Sequence, residues 1–228
     1  MSFTTALEQR IRASYPCLYI VAREDWRCEK EVEKVFTSFN DKSMSYKVWT
    51  ITSGWRESKG NGSLSPGDKT TDPLAALNAI MGVAGVYCLV NFHHFFDNPE
   101  IQQTVKDMVQ VGKLAGQTTI FISNVWKVAT ELEDDITRLE FGLPDRDLLS
   151  ERIDYVLEGV DGKVPHPTDS EKENIVNASL GMTTWEAENA LSLSLVTLKQ
   201  LDPEFISKEK AKAVAKSGIL EFYEPGVS

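Results

Sequence analysis

Five apolar runs of strand length, spaced by stretches of helical periodicity, constrain this chain more than any other feature. Residues 17–22 read Cys-Leu-Tyr-Ile-Val-Ala without a break. Runs apolar at every position suit strands covered on both faces, as in parallel sheets. Similar runs occupy 46–52 (Val48, Trp49, Ile51), 85–91 (Val86 to Val90) and 118–123 (Ile120, Phe121, Ile122), with a shorter one at 139–143. Between them lie helical patterns. Residues 4–13 place Leu7 and Ile11 four apart. A helix from Asp25 carries Val32, Val35, Phe36 and Phe39 and ends at Asn40 and Asp41. Asp72 caps a helix with Pro73 at its first position, running to about 81. Another helix starts at Asn98 and Pro99 and stops at Gly116, a shorter one covers 131–135, and a last one covers 145–157. Strictly alternating elements predict a mainly parallel five-stranded sheet with helices on both faces and right-handed crossovers.

The pattern changes near Gly159. Residues 160–168 are turn-rich, with Pro165 and Pro167. Only helical patterns follow, at 169–180, 183–199 and 203–217. Thr183 and Glu186 form a capping box at the start of the second, satisfying each other's backbone donors. The predicted organisation is an α/β core over 1–158 and a small all-helical part over 159–228. Residues 53–71 are rich in Gly, Ser and Lys and are expected to form a surface loop.

The chain carries a formal charge of -10, which opposes the Lys/Arg neutralisation of phosphates that nucleic-acid binding needs. Lys208, Lys210, Lys212 and Lys216, diluted by Glu209, look like a solvated helix face. The three cysteines (Cys17, Cys28, Cys88) are odd in number and unpaired in spacing, which points to a reducing compartment. No run approaches the 18 apolar residues of a membrane span, and the N-terminus lacks a signal peptide's apolar region. His93-His94 is the sole histidine pair. On a strand such neighbours point to opposite faces, and no Cys or His lies at zinc-ligand spacing, so no metal site is expected. No G-x-S-x-G occurs, and Cys28 sits mid-helix among charges.

A phosphate-binding loop needs glycines that let backbone N–H groups wrap the phosphates, a lysine, and a Ser or Thr for magnesium. No G-x-x-x-x-G-K-[ST] occurs. After the first strand the chain reads Arg23-Glu24-Asp25-Trp26-Arg27, with no glycine and two carboxylates that repel phosphate. Gly60, Gly62, Gly67, Lys69 and Thr70 imitate such a loop, but after the second strand and with the wrong spacing.

Several segments nevertheless resemble AAA ATPase motifs, in the family's order. Val86-Tyr87-Cys88-Leu89-Val90-Asn91-Phe92 resembles the Walker B strand. Thr119-Ile120-Phe121-Ile122-Ser123-Asn124 resembles the sensor-one strand and its polar tip. Residues 131–136 and then Phe141-Gly142-Leu143-Pro144-Asp145-Arg146 resemble the segment that closes an AAA core, and 181–191 resembles a lid helix with a Thr-x-x-Glu-Ala pattern. Together with 14–21, 91–96 and 216–223, these are similar to the degenerate first domain of tandem AAA ATPases of plastid and cyanobacterial type, where 216–223 leads into an active second domain. The resemblance implies a P-loop-NTPase-like three-layer core with a helical lid.

It also implies what is missing. Asn91 stands where an aspartate would hold magnesium, and an amide is a poor ligand for a hard cation. Phe92 stands near where a glutamate would polarise water, and phenylalanine is no base. Arg138 lacks the usual arginine pair of a finger, so an ion pair is the favoured reading. The expectation is therefore a non-catalytic AAA-like domain that assembles with active AAA domains in a ring, helping to present a protein substrate. It would use no cofactor itself; ATP and magnesium would belong to the active parent or partner. The expected interaction surface is Trp55, Phe95, Phe96 and Trp126, beside the strand tips at Asn91 to Phe96 and Ser123 to Lys127. The compartment would be cytoplasmic or stroma-like. Two alternatives stay open: a regulatory ATP or ADP binder with an unorthodox loop, and an unrelated α/β adaptor.

Overall fold

A computed structural model describes residues 2–39, 44–58, 64–160 and 164–216. It forms two compact units, Met1–Gly142 and Leu143–Ser228. In the first, α1 (Phe3–Arg12) leads into β1 (Cys17–Ala22), α2 (Asp25–Ser38) and β2 (Ser45–Thr50). Strands β3 (Gly54–Ser58) and β4 (Leu64–Pro66) precede α3 (Pro73–Ile80) and β5 (Gly85–Val90). A 3-10 turn (Phe92–Phe95), α4 (Pro99–Ala115), β6 (Gln117–Ser123), a second 3-10 turn (Thr130–Leu132) and β7 (Thr137–Phe141) complete it.

The sheet runs β4-β3-β2-β5-β6-β1-β7. The five expected strands are all present and mutually parallel, with Val48 beside Cys88 and Cys88 beside Ile120 in register. Side-chain alternation divides their apolar residues between two layers. Tyr19, Trp49, Tyr87, Leu89 and Phe121 pack with Leu77 of α3 and Val105 of α4 on one face. Leu18, Ile20, Val48, Cys88 and Ile120 pack with Leu7 of α1 and Val32 of α2 on the other. Burial on both faces is why β1 and β5 contain no charged residue.

Two strands were not expected. Residues 54–58 and 64–66 add antiparallel to the edge of β2, with Trp49 beside Trp55. Gly54 makes this return tight: its φ is +66°, and a Cβ there would lie 2.5 Å from the Asp68 carbonyl oxygen. Gly60 and Gly62 fall outside the described residues, as do Asn40 and Asp41. The fifth strand lies at Thr137–Phe141 rather than 139–143, which puts Arg138 inside it.

The second unit holds α5 (Arg146–Glu158), α6 (Asp169–Ser179), α7 (Thr184–Leu198) and α8 (Pro203–Lys216). The division falls after Gly142, not at 158, because α5 is a member of the helical unit. Leu149, Ile153 and Leu157 of α5 share a buried core with Ile175, Leu191 and Ile206. The expected capping box of Thr183 with Glu186 forms, and a second, not expected, joins Thr168 with Glu171 at the start of α6. Among the described residues no helix is long and apolar enough to cross a membrane.

Candidate functional site

In open parallel sheets, ligands bind at the carboxyl ends of the strands. Here the ends of β1, β5 and β6 meet. The link from β1 to α2 is two residues, Arg23 and Glu24, with no glycine. Glu24 is buried and bonds Arg27 Nε at 2.9 Å. The same guanidinium donates to the Gly142 carbonyl and lies 4.2 Å from the Phe141 ring. Asp25 opens α2 and accepts from the Trp26 N–H at 2.7 Å. Its other carboxylate oxygen accepts from Asn91 Nδ2 at 3.2 Å. The first turn of α2 therefore presents carboxylates, which satisfy its positive end from within the chain.

Asn91 ends β5. Its N–H still donates to the Ile122 carbonyl at 2.8 Å, while its backbone turns left-handed (φ 57°). Asparagine is among the few residues that adopt this conformation readily. The turn then drives Phe92 inward. Its ring is fully buried, between Trp49 at 5.5 Å, Phe95 at 5.3 Å and Phe121 at 5.4 Å.

At the end of β6, buried Ser123 makes a 2.6 Å hydrogen bond between its Oγ and His93 Nδ1. Desolvation holds the His93 imidazole below its ordinary value, and the charges on His94 and Lys127 act in the same direction. The two histidine rings lie 3.9 Å apart. The expected opposite orientation does not hold, because the segment is a 3-10 turn rather than a strand. Among the described residues there is no group of three or more His, Cys, Asp or Glu arranged to hold a metal. Asn124 is exposed at the tip of β6. Lys127 pairs with Asp97 at 2.7 Å, bridging the segments after β6 and β5.

The expected aromatic surface is mostly interior. Trp55 is 3% exposed and Phe96 is 1% exposed. Trp55 sits in β3 against Tyr87, and Phe96 sits against Phe121 and Phe92. Phe95 is half-buried beside Trp49. Trp126 is half-buried too, edge-on to Tyr19 at 4.9 Å with the Arg138 guanidinium 5.2 Å from its ring. Arg138 itself pairs with Glu140 at 2.6 Å. The Asp25–Asn91 bond was missed from sequence; an aspartate opening α2 and an amide ending β5 were visible, but their meeting depends on the sheet order.

A family model described as the SpoVK-like AAA ATPase N-terminal domain matches residues 3–141. One described as the second domain of such ATPases matches residues 147–217. Two curated relatives, both called uncharacterized AAA domain-containing protein ycf46, come from Guillardia theta and Trieres chinensis. They are 24% and 25% identical over 99% and 98% of this chain, which spans only 44% of each relative's length. Among solved structures, a Thermotoga maritima RuvB variant matches with a TM-score of 0.52 at 13% identity, covering 92% of this chain and 66% of that one. Domain III of the Thermotoga maritima replication initiation protein DnaA matches with a TM-score of 0.52 at 10% identity, covering 92% and 90%. At such identities these two structures bear on the fold alone.

Proposed function

Because this chain belongs to the SpoVK-like AAA ATPase family, we propose that it works as a non-catalytic AAA-type domain whose role is assembly. The observation that carries this reading is the two-residue connection between β1 and α2. A phosphate cradle needs several successive N–H groups in a glycine-rich loop, plus a lysine. Arg23 and Glu24 supply no such loop, and carboxylates occupy the helix end where phosphate would bind. The Asn91 amide is already donating to Asp25. Magnesium wants carboxylate oxygens at that strand end, and a buried phenylalanine follows instead. The residues present do not fit a magnesium nucleotide, so no hydrolytic step is assigned to them.

The relatives are more than twice as long as the matched region. In this reading their remaining length, or a partner chain, supplies an ATP-hydrolysing domain beside which this one packs in a ring. A protein is the class of substrate such a machine would handle, and a reducing compartment suits three buried thiols. Phosphate release by the purified chain, followed with and without an equimolar active AAA domain from the same source, tests the proposal. No release by the chain alone, with altered turnover or mass of the active domain on mixing, is expected. Turnover by the chain alone that vanishes in an Asp25→Ala variant would overturn it.

A further inference from the structure

The helical unit leaves one helix half-covered. One face of α7 is buried through Ala187, Ala190, Leu191, Ser194 and Leu195. The opposite face is a single stripe. Trp185, Asn189, Ser192, Val196 and Lys199 follow one another at spacings of four and three, which align on one side of a helix. All five are exposed, and the two large apolar ones, Trp185 and Val196, are 64% and 69% exposed. Leu193 stands exposed beside them. Adjoining apolar side chains left open in this way mark a contact surface.

The stripe runs along a groove. Asn189, Ser192, Val196 and Lys199 line one side of a hollow of about 760 Å³, and Tyr155 and Val156 of α5 line the other. Trp185 lies on the same stripe one turn earlier, outside these walls. The chain thus offers a tryptophan and, further along the same helix, a largely apolar hollow that this tryptophan does not enter. Charge is divided along α7 as well. Glu186 and Glu188 lie in its first half, and Lys199 closes it. Lys199 holds a left-handed backbone (φ 58°) where glycine is the usual residue.

We propose that α7 pairs antiparallel with α7 of a second copy of this chain, each Trp185 entering the groove of the other copy. A twofold axis between Asn189 and Ser192 sets Trp185 of one copy against the stretch from Val196 to Lys199 of the other. Those positions lie about 16 to 21 Å apart along one helix, so the pair has two separate anchors. Tryptophan is among the residue types that most often anchor interfaces. Charge selects the direction. Antiparallel pairing brings Lys199 of one copy to the Trp185 ring and the Glu188 carboxylate of the other. A parallel pair would set Glu188 against Glu188 and Lys199 against Lys199. The short side chains of Asn189 and Ser192 lie at the crossing and let the helices approach. Each copy supplies both anchor and hollow, so the contact closes on itself as a dimer. The pairing uses residues of the helical unit alone and does not depend on whether the α/β unit binds nucleotide.

Sedimentation equilibrium of the full chain, with no active ATPase domain present, reads the pairing. Twice the chain's mass at high micromolar concentration, falling to the single mass on dilution, is expected. Trp185→Ala and Val196→Glu alter exposed positions, so both should keep the parent's far-UV circular dichroism. Each should weaken the dimer at least tenfold. A short bis-maleimide reads the orientation. Cys17, Cys28 and Cys88 are all buried, so an added Ser192→Cys, beside the axis, should link two chains, whereas Ser170→Cys on α6 should not. A single mass at every concentration would overturn the proposal and leave the face to a different partner. So would a dimer that both substitutions leave intact, or equal linking at 192 and 170. Any of these results would leave the assembly role of the α/β unit to be judged by its own mixing experiment.

Discussion

Replacing Phe92 by glutamate restores, on paper, the acidic residue that a working AAA site carries near this strand end. The packing predicts that it destroys the α/β unit instead. Phe92 is fully buried, with four aromatic rings within 6 Å of its centroid, Phe96 at 5.8 Å being the most distant. Truncating such a ring to alanine costs about 3–5 kcal/mol. At about 2–4 °C per kcal/mol for a unit of this size, Phe92→Ala should melt about 10 °C below the parent chain. Phe92→Glu adds the desolvation of a carboxylate with no cation among its ring neighbours, which costs several kcal/mol more. Its midpoint should therefore fall below that of Phe92→Ala. Thermal melts followed by tryptophan fluorescence and far-UV circular dichroism measure both. A Phe92→Glu chain that unfolds with the parent's midpoint, or that gains ATP hydrolysis, would refute the reasoning.

Three further substitutions probe the same strand ends. Asn91→Asp removes the donor to Asp25 and sets two carboxylates about 3 Å apart; the stability lost, about 1–2 kcal/mol, should shrink as salt rises, and denaturant titrations at two ionic strengths check it. Arg27→Met removes the cation beside buried Glu24 and should cost at least about 2 kcal/mol, read by calorimetric melting. His93 binds a proton less readily in the folded chain than in the unfolded one. Its contribution is thus complete above about pH 6.5 and is lost as pH falls below that value. His93→Asn, which keeps a polar group near Ser123, should flatten the stability profile between about pH 5 and 7 in urea titrations.

The parallel core was legible because its strands announce themselves. Cys17 to Ala22 and Val86 to Val90 are apolar at nearly every position, a pattern that only two-sided cover explains. The edge hairpin was not. Residues 53–71 have a loop's composition, and Trp55 becomes interior only because β3 lays it beside Trp49 and Tyr87. The same long-range packing hid the burial of Phe96. The position of the unit boundary was obscured by α5, whose Leu149, Ile153 and Leu157 look the same whether they face a sheet or other helices. Of the site, the missing glycines and the acidic start of α2 could be seen in the sequence. The Ser123–His93 and Asp25–Asn91 bonds join residues 30 and 66 positions apart, and no local pattern encodes them.

Calorimetric titration of the purified, folded chain with ATP and magnesium, followed by ADP, tests the central claim most directly. Heat indistinguishable from dilution up to high micromolar nucleotide is the result predicted. A saturable isotherm near one nucleotide per chain would contradict it, and would mean that phosphates are held without a glycine-rich loop after β1.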